Sequence, residues 1–319
     1  MKNRSYFLFA ILLVLAQSCV QSLDSDLDRI IERDDQIIKN FISTNNIQAT
    51  ETAVGFYYRK EVVNDVGNQF ANKDIIGIYY EIKTLEGNLI ESYLDETKAP
   101  RLFYYNEGGI IPKVINFAAS VAKVGETLIL YVPSYLGYQE FALGQTIPAN
   151  ANLVIRVKYV QAFTLDDVRQ IEDELMQQYI ADNNLTGFTK STDGIYIRTT
   201  QEGSAGTKEA TNGDLIRFIY NFGQLDSTTP LVSSNPNTPF QMTLGLGTNL
   251  KFLNLGMRGV RKSQKIEFLV PHNQGFGITI QVLPGAIRKE LIDKSLINSN
   301  NIARPFEPII FKAEIVDVN

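Results

Sequence analysis

Few side chains in this sequence could support metal, redox or nucleophilic chemistry. The chain of 319 residues has one histidine, His272, and one cysteine, Cys19. A structural zinc site takes about four Cys or His ligands, which all but excludes zinc, and a lone thiol excludes a disulfide framework. His272 stands alone near a loop and reads as a packed residue rather than a base. Gly245-x-Gly247 reads as a strand-end turn, without the strand and helix that a phosphate-binding loop needs. Net charge is −5 with no basic stripe, so nucleic acid is not an expected partner. Trp is absent, and 15 Tyr and 18 Phe supply the aromatic surface. Apolar residues make up 44% of the chain, enough for two separate cores.

The single cysteine has a place of its own. Lys2 and Arg4 precede an apolar run from Tyr6 to Ala16, which Gln17, Ser18 and Cys19 close. The run is too short to span a bilayer, which takes about 20 apolar residues, and it has the size of a signal-peptide core. It resembles a bacterial lipoprotein signal, in which the cysteine is lipidated and becomes the new N-terminus. Residues 1–18 are then removed, and 19–50 form a lipid-anchored helix and linker. Several acyl chains on Cys19 anchor firmly, at about 0.8 kcal/mol per buried CH₂. Val20 stands where the enterobacterial inner-membrane retention signal has Asp. The expected location is therefore the periplasmic side of the outer membrane, with the cell surface as the alternative. Asp24, Asp26 and Asp28 read as a solvated helix start.

The remainder is a repeat. Asp35-Gln36-Ile37-Ile38-Lys39-Asn40-Phe41-Ile42 matches Asp173-Glu174-Leu175-Met176-Gln177-Gln178-Tyr179-Ile180, and each stretch runs into Asn-Asn. Gly55-Phe56-Tyr57-Tyr58-Arg59 matches Gly194-Ile195-Tyr196-Ile197-Arg198, and Asp74–Tyr80 matches Asp214–Tyr220. Pro133-x-x-x-Gly137-Tyr138 matches Pro271-x-x-x-Gly275-Phe276. The offset holds at 138–140 residues throughout, which indicates duplication. Each unit opens with an amphipathic helix, Leu27 to Phe41 in one and Val168 to Tyr179 in the other. β-rich runs follow: Ile75–Ile82, Thr127–Val132, Leu153–Val160, Leu215–Phe222, Lys265–Val270 and Ile309–Val316. A short helix is expected over Val114–Ala122, just after Pro112. Strand runs around one inserted helix indicate an α+β class. The border falls near Phe163–Asp166, giving a first domain at 51–163 and a helix plus second domain at 164–319. Unit two carries an insertion at about 277–304, in which Ala286–Ile297 looks helical.

From Asp74 to Phe163 unit one resembles the FKBP family. Ile147-Pro148-Ala149-Asn150-Ala151-Asn152-Leu153 looks like I-P-P-x-A-x-L, Val124-Gly125-Glu126 like V-G-E, and Pro133-Ser134-Tyr135-Leu136-Gly137-Tyr138 like P-x-x-L-A-Y-G. Glu86-Gly87-Asn88-Leu89-Ile90-Glu91-Ser92 is similar to D-G-x-x-F-D-S. The resemblance implies two tandem domains, each a twisted antiparallel sheet wrapped around a short helix. It also implies cis–trans isomerisation of X–Pro bonds, with no cofactor and no metal. Tyr80 then matches the pocket wall and Tyr138 the tyrosine that hydrogen-bonds the substrate carbonyl. Glu91 stands where the family has Asp. Ile90, Ile110, Ile111, Val114, Ile147 and Ile155 match pocket positions, three of them usually aromatic. The first-unit pocket should therefore be loose and the activity weak.

Unit two keeps Pro239-Phe240-Gln241-Met242-Thr243-Leu244-Gly245 and Tyr220. Leu231-Val232-Ser233-Ser234 replaces F-D-S-S and Phe276 replaces the carbonyl-binding tyrosine, so unit two reads as degenerate, a binding or packing module. The implied partners are proline-containing exported polypeptides. The alternative is a non-catalytic subunit of an outer-membrane secretion, assembly or gliding complex, since FKBP frames also serve as protein-binding modules.

Overall fold

The computed structural model describes residues 26–106 and 108–319; Cys19 and the signal segment expected from the sequence lie outside them. Unit one runs α1 (Asp26–Thr44), β1 (Thr50–Glu51), β2 (Tyr57–Val62), β3 (Ile75–Thr84), β4 (Leu89–Tyr93), β5 (Arg101–Tyr104), β6 (Ile110–Ile111), α2 (Val114–Ala118), β7 (Thr127–Val132) and β8 (Leu153–Phe163). Unit two runs α3 (Leu165–Asp182), β9 (Thr189–Lys190), β10 (Tyr196–Gln201), β11 (Leu215–Gln224), β12 (Val232–Ser233), β13 (Phe240–Thr243), α4 (Lys251–Gly256), β14 (Lys265–Val270), β15 (Gln281–Val282), α5 (Arg288–Asp293) and β16 (Ile309–Val318).

The two sheets have one topology. The first is ordered β1-β2-β7-β8-β3-β4 with β5 also on β3, and the second β9-β10-β14-β16-β11-β12 with β13 also on β11. Every pair within them is antiparallel. The chain is thus α+β with antiparallel sheets and few helices. The long strands β3 and β8 alternate inward Ile78, Tyr80 and Ile82 against Ile155, Val157 and Tyr159, all nearly sealed from solvent. The helix after Pro112 is shorter than its sequence suggests. It stops at Ala118 and continues as turns, with Ser120 Oγ taking the Phe117 carbonyl that a further helical turn would use.

Each opening helix docks on its own sheet through a duplicated polar latch. Asp34 and Glu172 are fully buried. Asp34 accepts the backbone N–H of Ser134 at 2.8 Å and its hydroxyl at 2.6 Å. Glu172 accepts the backbone N–H of His272 at 2.7 Å and meets its ring Nδ1 at 2.8 Å. Beside each latch a tyrosine hydroxyl donates to the next carboxylate, Tyr57 to Asp35 at 2.6 Å and Tyr196 to Asp173 at 2.9 Å. The Asn-Asn pairs end the helices. Asn45 and Asn183 donate side-chain N–H groups to the carbonyls of Phe41 and Tyr179, and Asn46 and Asn184 take the left-handed backbone that follows. Of the apolar stripe in α1, Ile38 is buried and Phe41 half-buried, while Leu27, Ile31 and Ile37 are exposed.

The units meet through an apolar contact and an ion-pair cluster, and again through the insertion of unit two. Val168 of α3 packs with Ile75 and Leu102 of unit one and Phe306 of unit two. Arg101 of unit one meets Glu307 at 2.6 Å and Asp226 at 3.3 Å, and Arg304 meets both of those carboxylates as well. Burial alone would raise Asp226, but the Arg304 and Arg101 guanidinium groups hold its carboxyl below the usual range.

Candidate functional site

Unit one folds around a cup built by β3, β4, β6, α2 and the segments after β7. Strand β3 supplies Tyr80, whose hydroxyl donates to Glu91 at 2.7 Å on the neighbouring strand β4. Burial, then the Glu91 charge, pushes the Tyr80 phenol well above its ordinary value, so it stays a donor. Helix α2 sets Val114 at the floor, fully buried beside Ile115. Tyr159 fixes that helix by donating to the Ile115 carbonyl at 2.6 Å. Ile110, Val114, Tyr138, Ile147 and Ile155 share one core cluster with Tyr80, and Ile90 and Ile111 pack against its edge. The residues singled out from the sequence therefore converge, with Glu91 at the rim through its bond to Tyr80.

The cup is filled. The insertion of unit two reaches across the joint and lays β15 parallel to β6, with Gln281 beside Ile110 and Val282 beside Ile111. The Tyr138 hydroxyl donates to the carbonyl of Leu283 at 2.8 Å, the residue preceding Pro284. The backbone N–H of Gly285 reaches Glu91 at 3.4 Å. Val282, Leu283, Ile287 and Leu291 belong to the first unit's core cluster. The looseness expected of aliphatic walls is absent, because another part of the chain occupies the space. Within the insertion the helical stretch is shorter than its sequence suggests. A single 3₁₀ turn at Gly285–Ile287 leads into α5, which ends at Asp293. Sequence reading missed this occupant. Its one signal was a Leu-Pro dipeptide inside a long insertion.

Unit two holds the matching cup open. A cavity of about 330 Å³ is lined by Tyr220, Phe222, Val232, Phe252, Phe276 and Phe311, among others. The strand registers set the correspondences. Tyr80 faces Val157 as Tyr220 faces Ala313, and Ile155 faces Leu130 as Phe311 faces Phe268. Ile82 faces Glu91 as Phe222 faces Val232. Ile82 and Ile155 thus become Phe222 and Phe311, while Glu91 and Tyr138 become Val232 and Phe276. Phe252 on α4 stands 138 residues after Val114 and packs edge-on to Phe311, ring centres 5.0 Å apart. The floor aromatic missing from unit one is present in unit two, which sequence reading also missed.

Comparison with known proteins gives the frame a family. The profile of the FKBP-type peptidyl-prolyl cis-trans isomerases matches residues 67–160 and 206–312, one stretch in each unit. Human FKBP10, a peptidyl-prolyl cis-trans isomerase, is 24% identical over 205 residues, covering 64% of this chain and 30% of its own length. Human FKBP9, of the same description, is 26% identical over 204 residues, covering 64% and 31%. The chain thus spans under a third of the length of these relatives. Among solved structures, the three FKBP domains of wheat FKBP73 align with a TM-score of 0.33 at 16% identity, over 85% of this chain and 99% of that one. FkpA from Escherichia coli aligns with a TM-score of 0.35 at 15% identity, over 48% and 62%. With a family match in each of two units of one topology, the chain belongs to the FKBP-type peptidyl-prolyl cis-trans isomerase family.

Proposed function

We propose that this chain recognises X–Pro segments of exported polypeptides and isomerises them at the first-unit site, from a lipid anchor on Cys19. One observation carries the reading. The Tyr138 hydroxyl donates to the carbonyl that precedes a proline, the atom an isomerase must hold while the amide turns. The reaction loses amide resonance, worth a barrier of about 18–20 kcal/mol. Apolar walls such as Val114 and Ile155 favour the less polar twisted amide over the planar one. Tyr138 orients the carbonyl, and Tyr80 with Glu91 holds the rim. The test is isomerisation of a blocked Ala-Leu-Pro-Phe peptide by residues 19–319, as they stand and with Leu283→Gly and Pro284→Gly together. Catalysis in either form that Tyr138→Phe lowers is expected; none in both removes the enzyme reading.

A second reading, a non-catalytic subunit of an outer-membrane complex, is favoured by a different observation. The site with the Tyr138 hydroxyl is filled, and the open one has Phe276 and Val232 in place of Tyr138 and Glu91. Recovery of one stoichiometric membrane protein with the detergent-extracted chain would favour it over a folding helper with many weak clients. Anchoring is tested separately: labelled fatty acid should enter the protein and be lost with Cys19→Ala.

A further inference from the structure

The insertion between β14 and β16 leaves its own unit and enters the other as a ligand would. Gln281 N–H donates to the Gly109 carbonyl at 2.9 Å and Leu283 N–H to the Ile111 carbonyl at 2.9 Å, so the segment adds a strand to β6. That addition places the Leu283 carbonyl on Tyr138 and the Gly285 N–H toward Glu91. Simple space-filling would need only shape. This segment uses the directional groups of the cup, on the residues before and after Pro284. It is also braced from behind. Arg288, 4% exposed, donates to the carbonyls of Ile280, Asn301 and Ala303 and to the side chain of Gln281, which ties the two ends of the insertion together. Lys294 sits over the Phe141 ring of unit one.

We propose that Val282-Leu283-Pro284-Gly285 is an intramolecular substrate mimic that closes the first-unit prolyl site, so that a client must displace it to bind. The proposal rests on the X–Pro reading above and adds its regulation. A tethered occupant competes at an effective concentration that reaches the millimolar range for short linkers, so a weak ligand in trans loses to it. The apparent affinity for a client is the intrinsic affinity multiplied by the fraction of molecules in which the strap is out. A partner that grips α5 or breaks the Arg288 brace would raise that fraction and switch the site on without touching it.

The test is binding of a blocked Ala-Leu-Pro-Phe tetrapeptide to residues 19–319, followed by calorimetry. With Leu283→Gly and Pro284→Gly together, affinity should rise by about tenfold or more, the inverse of the open fraction. Adding Tyr138→Phe to that variant should take back most of the gain. Equal affinity with and without the strap residues overturns the proposal, whatever the isomerisation rate. A gain in affinity with no catalysis in either form leaves the strap as the blocker and removes only the enzyme reading. Because the double variant could disturb the joint, the unmodified chain supplies a second measurement. Amide exchange at Gln281 and Leu283 should quicken as peptide is added. Exchange that stays unchanged at roughly a hundred times the concentration that half-saturates the variant overturns the proposal as well.

Discussion

The two units share a sheet, a latch and a helix stop, yet their cups have diverged in opposite directions. Unit one keeps the groups that can hold a carbonyl, Tyr138 and Glu91, between aliphatic walls, and its cup is full. Unit two has lost both groups but has phenyl rings at three of the corresponding places, and its cup is open. Orienting groups and available space are therefore separable properties of this frame. Judged by polar residues alone, unit one is the working site; judged by access, unit two is. Phe218 and Phe252 stand edge-on to Phe311 beside the open cavity, whereas unit one is packed by a segment borrowed from its neighbour.

The sharpest way to break this comparison is at the floors. Phe252→Ala should cost unit two about 3–5 kcal/mol, and Val114→Ala should cost unit one about 1.5–3 kcal/mol, read by urea unfolding. Equal costs would mean that the two floors do the same work. The latches come next. Glu172→Ala leaves the buried His272 N–H without its acceptor and should cost about 2 kcal/mol. Asp34→Ala strands the buried Ser134 hydroxyl while Asn152 still accepts the Ser134 N–H, and should cost about 1–2 kcal/mol. A loss in one unit only would show that the duplicated latch has kept its role once. Smaller again is a graft. Phe276→Tyr should give the open cup a donor and tighten Leu-Pro peptide binding by about 1 kcal/mol, roughly fivefold. No change would mean that a hydroxyl at this position does not reach the carbonyl in unit two.

The smallest effect is acid sensitivity. Burial tends to raise Asp35 and Asp173, but hydrogen bonds from Lys39 and Tyr57, and from Lys190 and Tyr196, hold both below the ordinary Asp value. A lowered folded pKa means the contribution is complete above the ordinary range and is lost as pH falls through the lowered values. Both carboxylates are partly exposed, so solvent screening keeps it small. Tyr57→Phe and Tyr196→Phe should each flatten the acid limb of a stability–pH curve, and unchanged curves would remove these bonds from the ledger.

Much of the frame was legible because it was written twice. Periodic strands and helices repeat at a near-constant offset, and Tyr80, Glu91 and Tyr138 could be placed by their surrounding motifs. The latch carboxylates stand one residue before the aligned stretches, and a carboxylate in an acidic helix looks solvated until its partner is known. Phe252 was hidden because α2 and α4 are short and share no motif. Leu283 and Pro284 were hidden for a different reason. Strand β15 has two residues, too few for any periodicity, and its partner β6 lies far back in the chain. Nothing local in a sequence announces a contact between two such fragments.

The strap also has a place in time. Unit one has all of its strands once Phe163 is made, but the segment that fills its cup lies roughly 120 residues downstream, which at about 5–20 residues per second is a delay on the order of ten seconds. A first unit that folded within that interval would present an uncovered cup, and the second unit still to come contains Pro230, Pro236, Pro239 and Pro271. On the proposal of a closing strap, the earliest client of such a unit would be the rest of its own chain, and the site would close only once its neighbour had folded.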